Sequence, residues 1–104
     1  MTEASKLDSL IGLARRAGCL AVGTTATEVA VKKGRAYLVI LAADLAGGSR
    51  EALERLCRRY GVPWINYKDR RHLGRVIGRE ERAVLAVTSK TFAGEMQKVA
   101  RSQE

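Results

Sequence analysis

Residues 23–44 read GTTATEVAVKKGRAYLVILAAD, a helix pattern running straight into a strand pattern. Thr25 and Glu28 have the three-residue spacing of a capping box, Val29, Ala30 and Val31 follow, and Lys32, Lys33 and Gly34 supply the cations and the glycine that suit a helix C-terminus. From Ala36 to Ala43 there is no polar alternation and the residues are rich in branched aliphatics, the composition of a strand covered on both faces. Asp44 and then Gly47 and Gly48 end that run. A helix feeding a doubly covered strand implies a sheet with helices packed on it, so the fold class is α/β.

Working outward, the N-terminal side has Leu7, Leu10, Ile11 and Ala14 at the spacing of a one-sided helix, with Ser5 and Asp8 resembling a capping box and Gly18 as the stop. Cys19 to Val22 then predicts a short strand. On the other side, Ser49 is placed to cap a helix with Leu53, Leu56, Cys57 and Tyr60 inward, Glu51/Arg55 and Glu54/Arg58 as i,i+4 pairs, and Gly61 as its end. Pro63 to Tyr67 predicts an edge strand, because proline has no N–H to give a central ladder. Asp69 is placed to cap a short helix with Leu73, Val76 and Ile77 inward, ended by Gly78. Ala83 to Val87 predicts another buried strand, and Phe92, Met96 and Val99 one face of a last helix, with fraying expected after Ala100. The order is α-β-α-β-α-β-α-β-α, and strands separated by helices require a largely parallel or mixed sheet.

The chain has 104 residues and a mass of 11.4 kDa, which suits one domain over residues 1–104. Its longest apolar run, Ala36 to Ala43, is far shorter than the ~20 residues that cross a bilayer, so no membrane is expected. Near the N-terminus Glu3 and Asp8 precede the apolar residues and Arg15 and Arg16 follow them, the reverse of a secretory signal, which predicts a cytoplasmic protein. Nineteen Lys and Arg against eleven Asp and Glu give a net charge of +8, and most of the cations are Arg, whose planar fork suits phosphates and guanine edges. A nucleic-acid partner follows, against the plainer alternative of a solvated basic surface.

Catalytic and metal readings find little support. Gly18-x4-Gly23-Thr24-Thr25 has the glycine spacing of a phosphate-binding loop but puts Thr24 where that loop needs Lys. A nucleophile would need Cys19 or Cys57 to meet His72 and Asp44, and nothing in their spacing brings them together. Two separated cysteines and one histidine make a poor ligand set for zinc, so no metal or cofactor is expected; the thiols read as core fillers, with a single disulfide left open. His72, beside Arg70 and Arg71 at a helix start, reads as a surface or phosphate-facing residue rather than a general base. Trp64 and Tyr67 could stack on bases, although packing in or near the core is the commoner use of such residues. The basic residues fall in two groups, Lys32, Lys33 and Arg35 around Gly34, and Arg70, Arg71, Arg75, Arg79 and Arg82 around Leu73, Gly74 and Gly78. With the free amides at the start of the Thr25 helix these are expected to form one anion-binding edge.

The segments GTTATEVAVKKGRAYLVILAAD, LCRRYGVPW, HLGRVIG and AVLAV, spanning Leu7 to about Phe92, resemble the kink-turn RNA-binding ribosomal protein superfamily, including its short bacterial members. The resemblance implies a three-layer α-β-α sandwich with a central mixed four-stranded sheet and a non-catalytic grip on a bent RNA. It places the RNA-binding residues at Gly23, Thr24 and Thr25, at Lys32, Lys33 and Gly34, at Asp44, and at Arg70, Arg71, Leu73, Gly74, Gly78, Arg79 and Arg82. The family's base-reading Asn, Glu and Lys are replaced here by Thr25, Ala26 and Val29, and the loop over the RNA bulge is the charged Arg79-Glu80-Glu81-Arg82. The partners implied are ribosomal or other non-coding RNA and proteins of a ribosomal or transcription-coupled assembly, with the chain itself a monomer.

Overall fold

The computed structural model describes residues 3–101, with side chains from Lys6 onward. Five helices alternate with four strands: α1 (Glu3–Arg16), β1 (Leu20–Val22), α2 (Thr24–Lys32), β2 (Leu38–Leu41), α3 (Gly47–Tyr60), β3 (Trp64–Asn66), α4 (Arg70–Val76), β4 (Val84–Val87) and α5 (Lys90–Arg101). This is the order expected from the sequence. The strands form one sheet in the order β1-β4-β2-β3, with β2 and β3 parallel and β4 antiparallel to both β1 and β2. The sheet is therefore mixed, and Pro63 precedes an edge strand.

Both central strands are buried along their whole length, and their residues alternate between two cores. Leu38, Ile40, Leu85 and Val87 face α1, α4 and α5, where Leu7, Ile11, Leu73 and Met96 are fully buried. Val39, Leu41, Val84 and Ala86 face α2 and α3, against Val31, Leu53 and Cys57. A sheet covered on both faces cannot show polar alternation, which is why these strands read as unbroken apolar runs. The result is the three-layer α-β-α sandwich.

Local differences from the sequence reading lie mainly at helix starts. α1 begins at Glu3, ahead of Ser5, so Ser5 is not its N-cap; the Ser5 side chain and residues 102–104, most of the tail expected to fray, lie outside the described residues. α2 begins at Thr24 with Gly23 as N-cap, which places Thr25 inside the first turn and leaves the expected capping box unformed. α3 begins at Gly47, two residues before Ser49. In each case the helix extends one or two residues upstream of the residue able to cap it; for α2 the chain turns into the helix directly after β1, with Gly23 bonded to β4. On α3 the ion pair is Arg50 with Glu54 at 3.9 Å, rather than either expected pair, and Tyr60 is 44% exposed rather than inward. Asp69 does cap α4, its Oδ1 accepting the His72 N–H at 2.9 Å.

Candidate nucleic-acid interface

The register fixes which turns share an end of the sheet. β1, β2 and β3 all point the same way and β4 runs against them, so Val22, Leu41, Asn66 and Val84 lie at one end, and Leu20, Leu38, Trp64 and Val87 at the other. At the first end, called here the Gly23 end, the Gly23 N–H donates to the Val84 carbonyl at 2.8 Å and α2 starts at φ 96, a conformation glycine adopts without a Cβ penalty. The first intrahelical bond of α2 is Thr27 N–H to the Gly23 carbonyl at 3.0 Å, and no side chain caps the helix. The amides of Thr24, Thr25 and Ala26 are thus presented on exposed residues at the positive end of the helix dipole. Val29, one turn on, is 45% exposed and continues the same face.

Beside this helix start stand α4 and the loop that follows it. Asp44 fixes the start of α4: its Oδ1 accepts the Arg70 N–H at 3.0 Å, its Oδ2 lies 3.3 Å from Arg70 Nε, and its carbonyl accepts from Arg70 Nη2 at 2.9 Å. Asp44 and Arg70 therefore hold each other, and their role at the site is to set the height of α4 above the strand ends. The chain after α4 doubles back along the helix, with Arg79 N–H donating to the Gly74 carbonyl at 2.8 Å and Arg82 N–H to the Arg70 carbonyl at 3.1 Å. The backbone of Glu80 lies directly on Gly74, where a Cβ would overlap the Glu80 carbonyl oxygen and stand 2.7 Å from its carbon. Leu73 is fully buried and Gly74 is covered, so both position the loop without facing a ligand. Gly78 turns the chain at φ 68. Arg71, Arg79, Glu80 and Glu81 are exposed and Arg82 is half-buried.

Lys68 also belongs to this end, a residue the sequence reading passed over. It has φ 50, and its carbonyl accepts the Ala43 N–H at 2.6 Å, which ties the end of β2 to the turn before α4. A lysine offers no sequence signal for a left-handed turn, where asparagine or glycine is the usual choice.

Lys32, Lys33 and Gly34 do not join this group. They lie at the far end of α2, next to the start of β2, with the Arg35 N–H bonded to the Ala30 carbonyl and the Tyr37 N–H to the Val87 carbonyl, both at 2.9 Å. Nine helical residues, about 13 Å along the axis, separate them from Gly23. The single anion-binding edge expected from the sequence is two ends. Sequence proximity to helix termini does not say which terminus, and a helix that returns along the sheet delivers its two termini to opposite sides.

The same register dissolves the catalytic constellations. Gly18 and Gly23 bracket β1 and lie at opposite ends of the sheet, so their spacing is a strand rather than a loop. His72 is not phosphate-facing: its Nε2 lies 2.9 Å from both carboxylate oxygens of Asp8, which also accepts the Tyr67 hydroxyl at 2.6 Å. This cluster ties α1 to the turn before α4, and burial together with the Asp8 carboxylate pushes the Tyr67 hydroxyl pKa up. Tyr67 is 6% exposed and unavailable for stacking, and Trp64 is half-buried in β3 with the Arg58 guanidinium 5.5 Å from its ring centre. Both cysteines are free and sit in different layers, with burial and the nearby Glu54 pushing the Cys57 thiol up to about 11, away from nucleophilic use. A cavity of about 740 Å³ between α1 and α4 is lined by Asp8, Leu13, Arg15, Arg16 and Gly78 but not by Asp44, His72 or either cysteine. Among the described residues no three potential metal ligands come together, and no helix is long and apolar enough to cross a membrane.

The arrangement is that of a small basic α-β-α sandwich with an open, uncapped helix start beside an arginine-bearing loop, a geometry suited to an anion. The chain is a member of the ribosomal protein L7Ae/L30e/S12e/Gadd45 family, whose pattern it matches over residues 5–97. It is 36% identical over 87 residues to the RNA-binding protein YlxQ of Bacillus subtilis (strain 168), an alignment that spans 84% of this chain and 87% of that protein. Among solved structures, a Bacillus halodurans protein of unknown function superposes with a TM-score of 0.90 at 34% identity, over 92% of this chain and 97% of the other. The Giardia lamblia 15.5kD RNA binding protein superposes with a TM-score of 0.80 over 99% of this chain and 90% of its own, and at 22% identity it is a likeness of fold.

Proposed function

We propose that the chain is a non-catalytic RNA-binding protein, acting as one cytoplasmic domain that grips a bent, structured RNA of kink-turn type at the Gly23 end. The observation that carries this reading is the uncapped start of α2, with three exposed amides beside the Arg79–Arg82 loop and a family membership in which a close relative is named for RNA binding. A kinked RNA exposes phosphates and groove edges that regular A-form helices hide, and a rigid helix start next to a loop can engage both sides of the bend. In this reading Thr24, Thr25, Lys68, Arg71, Arg79 and Arg82 face the RNA, and Gly23, Asp44, Arg70, Leu73, Gly74 and Gly78 hold the elements that present them.

A second reading is favoured by one feature: Ala26 and Val29 offer no hydrogen bond to a base edge, and Thr25 offers one hydroxyl. Phosphate contacts position a protein on RNA without specifying sequence, so the same grip could serve a different bent ribosomal or non-coding RNA, or one held within a ribosomal or transcription-coupled assembly. Titration of the protein against a kink-turn RNA, and against the same RNA with its G·A pairs replaced by Watson–Crick pairs, separates the two readings at two salt concentrations. Preference for the kinked form by about tenfold or more supports kink-turn recognition. Equal, salt-sensitive affinity supports a different bent target, and no binding to either shifts the function to a protein partner.

A further inference from the structure

The end of the sheet opposite the kinked-RNA site holds most of the unbalanced charge of the molecule. α1, α2 and α3 all deliver their C-terminal turns there, carrying Arg15 and Arg16, Lys32 and Lys33, and Arg58 and Arg59; Arg35 lies in the turn after α2, and Lys90 is the first residue of α5. Residues 13–20, 29–38, 56–64 and 87–94, which make up this end, contain those eight cations and no Asp or Glu. None of the eight has a carboxylate partner among the described residues. At the Gly23 end the corresponding turns, residues 22–25, 41–47, 66–71 and 78–84, hold Lys68, Arg70, Arg71, Arg79 and Arg82 against Asp44, Asp69, Glu80 and Glu81, so charge there nearly cancels. Cations in a last helical turn complement the helix dipole, but that accounts neither for Arg35 nor for the aromatics beside them. Tyr37 and Tyr60 are 40% and 44% exposed, Arg59 lies 6.0 Å from the Tyr60 ring centre, and Val39 to Trp64 pairing brings the start of β2 next to the α3 to β3 turn.

We propose that this end, around Gly34, is a second RNA-binding surface that takes a single-stranded segment, with phosphates on the cations and bases on Tyr37 and Tyr60. Exposed aromatic faces among arginines and lysines are the means by which proteins hold single-stranded nucleic acid, because every base has a face to stack whereas bases inside a duplex are already stacked on each other. Arginine in excess of lysine and the two exposed tyrosines favour this over a simple attraction to an acidic surface. Its two tyrosines and the cations of α2 and α3 are separate from the Gly23 end, while Arg15 and Arg16 line one cavity with Gly78 and border that end. An RNA whose kinked stem meets one end could therefore run an unpaired flank along the molecule, 35 Å in its longest dimension, to the other, the two contacts reinforcing each other through effective concentration.

The test is fluorescence anisotropy on the full chain with two probes, a blunt-ended kink-turn stem and an unstructured oligouridylate of about 12 nucleotides. Tyr37→Ala/Tyr60→Ala and Lys33→Glu/Arg59→Glu are each expected to weaken oligouridylate binding about tenfold or more and to leave the stem within about twofold. Arg71→Glu/Arg79→Glu is expected to do the reverse. Thermal unfolding of each variant controls for folding, and the charge-neutral tyrosine pair keeps the test independent of electrostatics. Oligouridylate that does not bind the natural chain, or binds the tyrosine variant unchanged, overturns the proposal; the second outcome reduces the surface to plain polyanion attraction. Loss of oligouridylate binding in the Arg71/Arg79 variant would also overturn it by placing both RNAs at one site. Stem binding is read separately, so failure here leaves the kinked-RNA reading standing.

Discussion

A methyl group at Gly74 would run into the backbone of Glu80, and backbone cannot rotate away as a side chain can. Gly74→Ala is therefore expected to cost about 1–3 kcal/mol in urea unfolding and to weaken kinked-RNA binding by displacing the Arg79–Arg82 loop. Unchanged stability would show that the loop does not rest on the helix. In the sequence Gly74 and Gly78 look alike, yet one is needed for a close approach and the other for a left-handed turn, a distinction that exists only once the loop has folded back. Thr27 is a different case, fully buried with its hydroxyl lacking any partner. Thr27→Val keeps the shape and removes the stranded hydroxyl, and is expected to raise stability by about 1 kcal/mol with RNA affinity unaltered. A loss of stability on calorimetry would mean that the hydroxyl is satisfied.

At the scale of elements, α4 is short and depends on its cap. Asp69→Ala removes the acceptor for the His72 N–H and is expected to lower stability by about 1 kcal/mol, read as a fall in the urea midpoint at constant slope. The cap was legible in the sequence because an aspartate preceded a run of helix-compatible residues. The start of α2 was not, since Thr25 and Glu28 have capping-box spacing but the helix starts one residue earlier, at Thr24, under the demand that Gly23 bond to β4. The open face this leaves makes a direct test of base reading possible. Thr25, Ala26 and Val29 are all exposed, so Thr25→Asn/Ala26→Glu/Val29→Lys installs the family's base-reading side chains with no core to disturb. The triple variant is expected to gain about tenfold or more for the kink-turn RNA over its Watson–Crick control, since each good contact to a base edge is worth about 1–3 kcal/mol. No gain would locate recognition elsewhere on the surface.

At the scale of the whole molecule, charge is divided by the sheet. If both ends hold RNA, a kinked stem with an unpaired flank releases more counterions than the stem alone, and the log–log salt dependence of its affinity steepens by ~0.7 for each added phosphate contact. Lys33→Glu/Arg59→Glu is expected to erase that difference and leave the slope for the blunt stem in place. Equal slopes for the two RNAs in the natural chain would mean that the flank is not engaged.

The order of elements, the two buried central strands, the edge position of Pro63 and the basic character of the protein were determined by sequence alone, because each depends on local periodicity or composition. Which charges act together was decided by the tertiary structure. Asp44 and Arg70 are 26 positions apart and neutralise each other, Asp8 claims His72 from 64 positions away, and Lys33 is carried to the opposite end from Gly23 although the two are only ten positions apart in the chain. Electrostatic partnership depends on distance in space, and in a sandwich where α2 and α3 return along the sheet, neighbours in the chain are sent to opposite ends while distant segments meet.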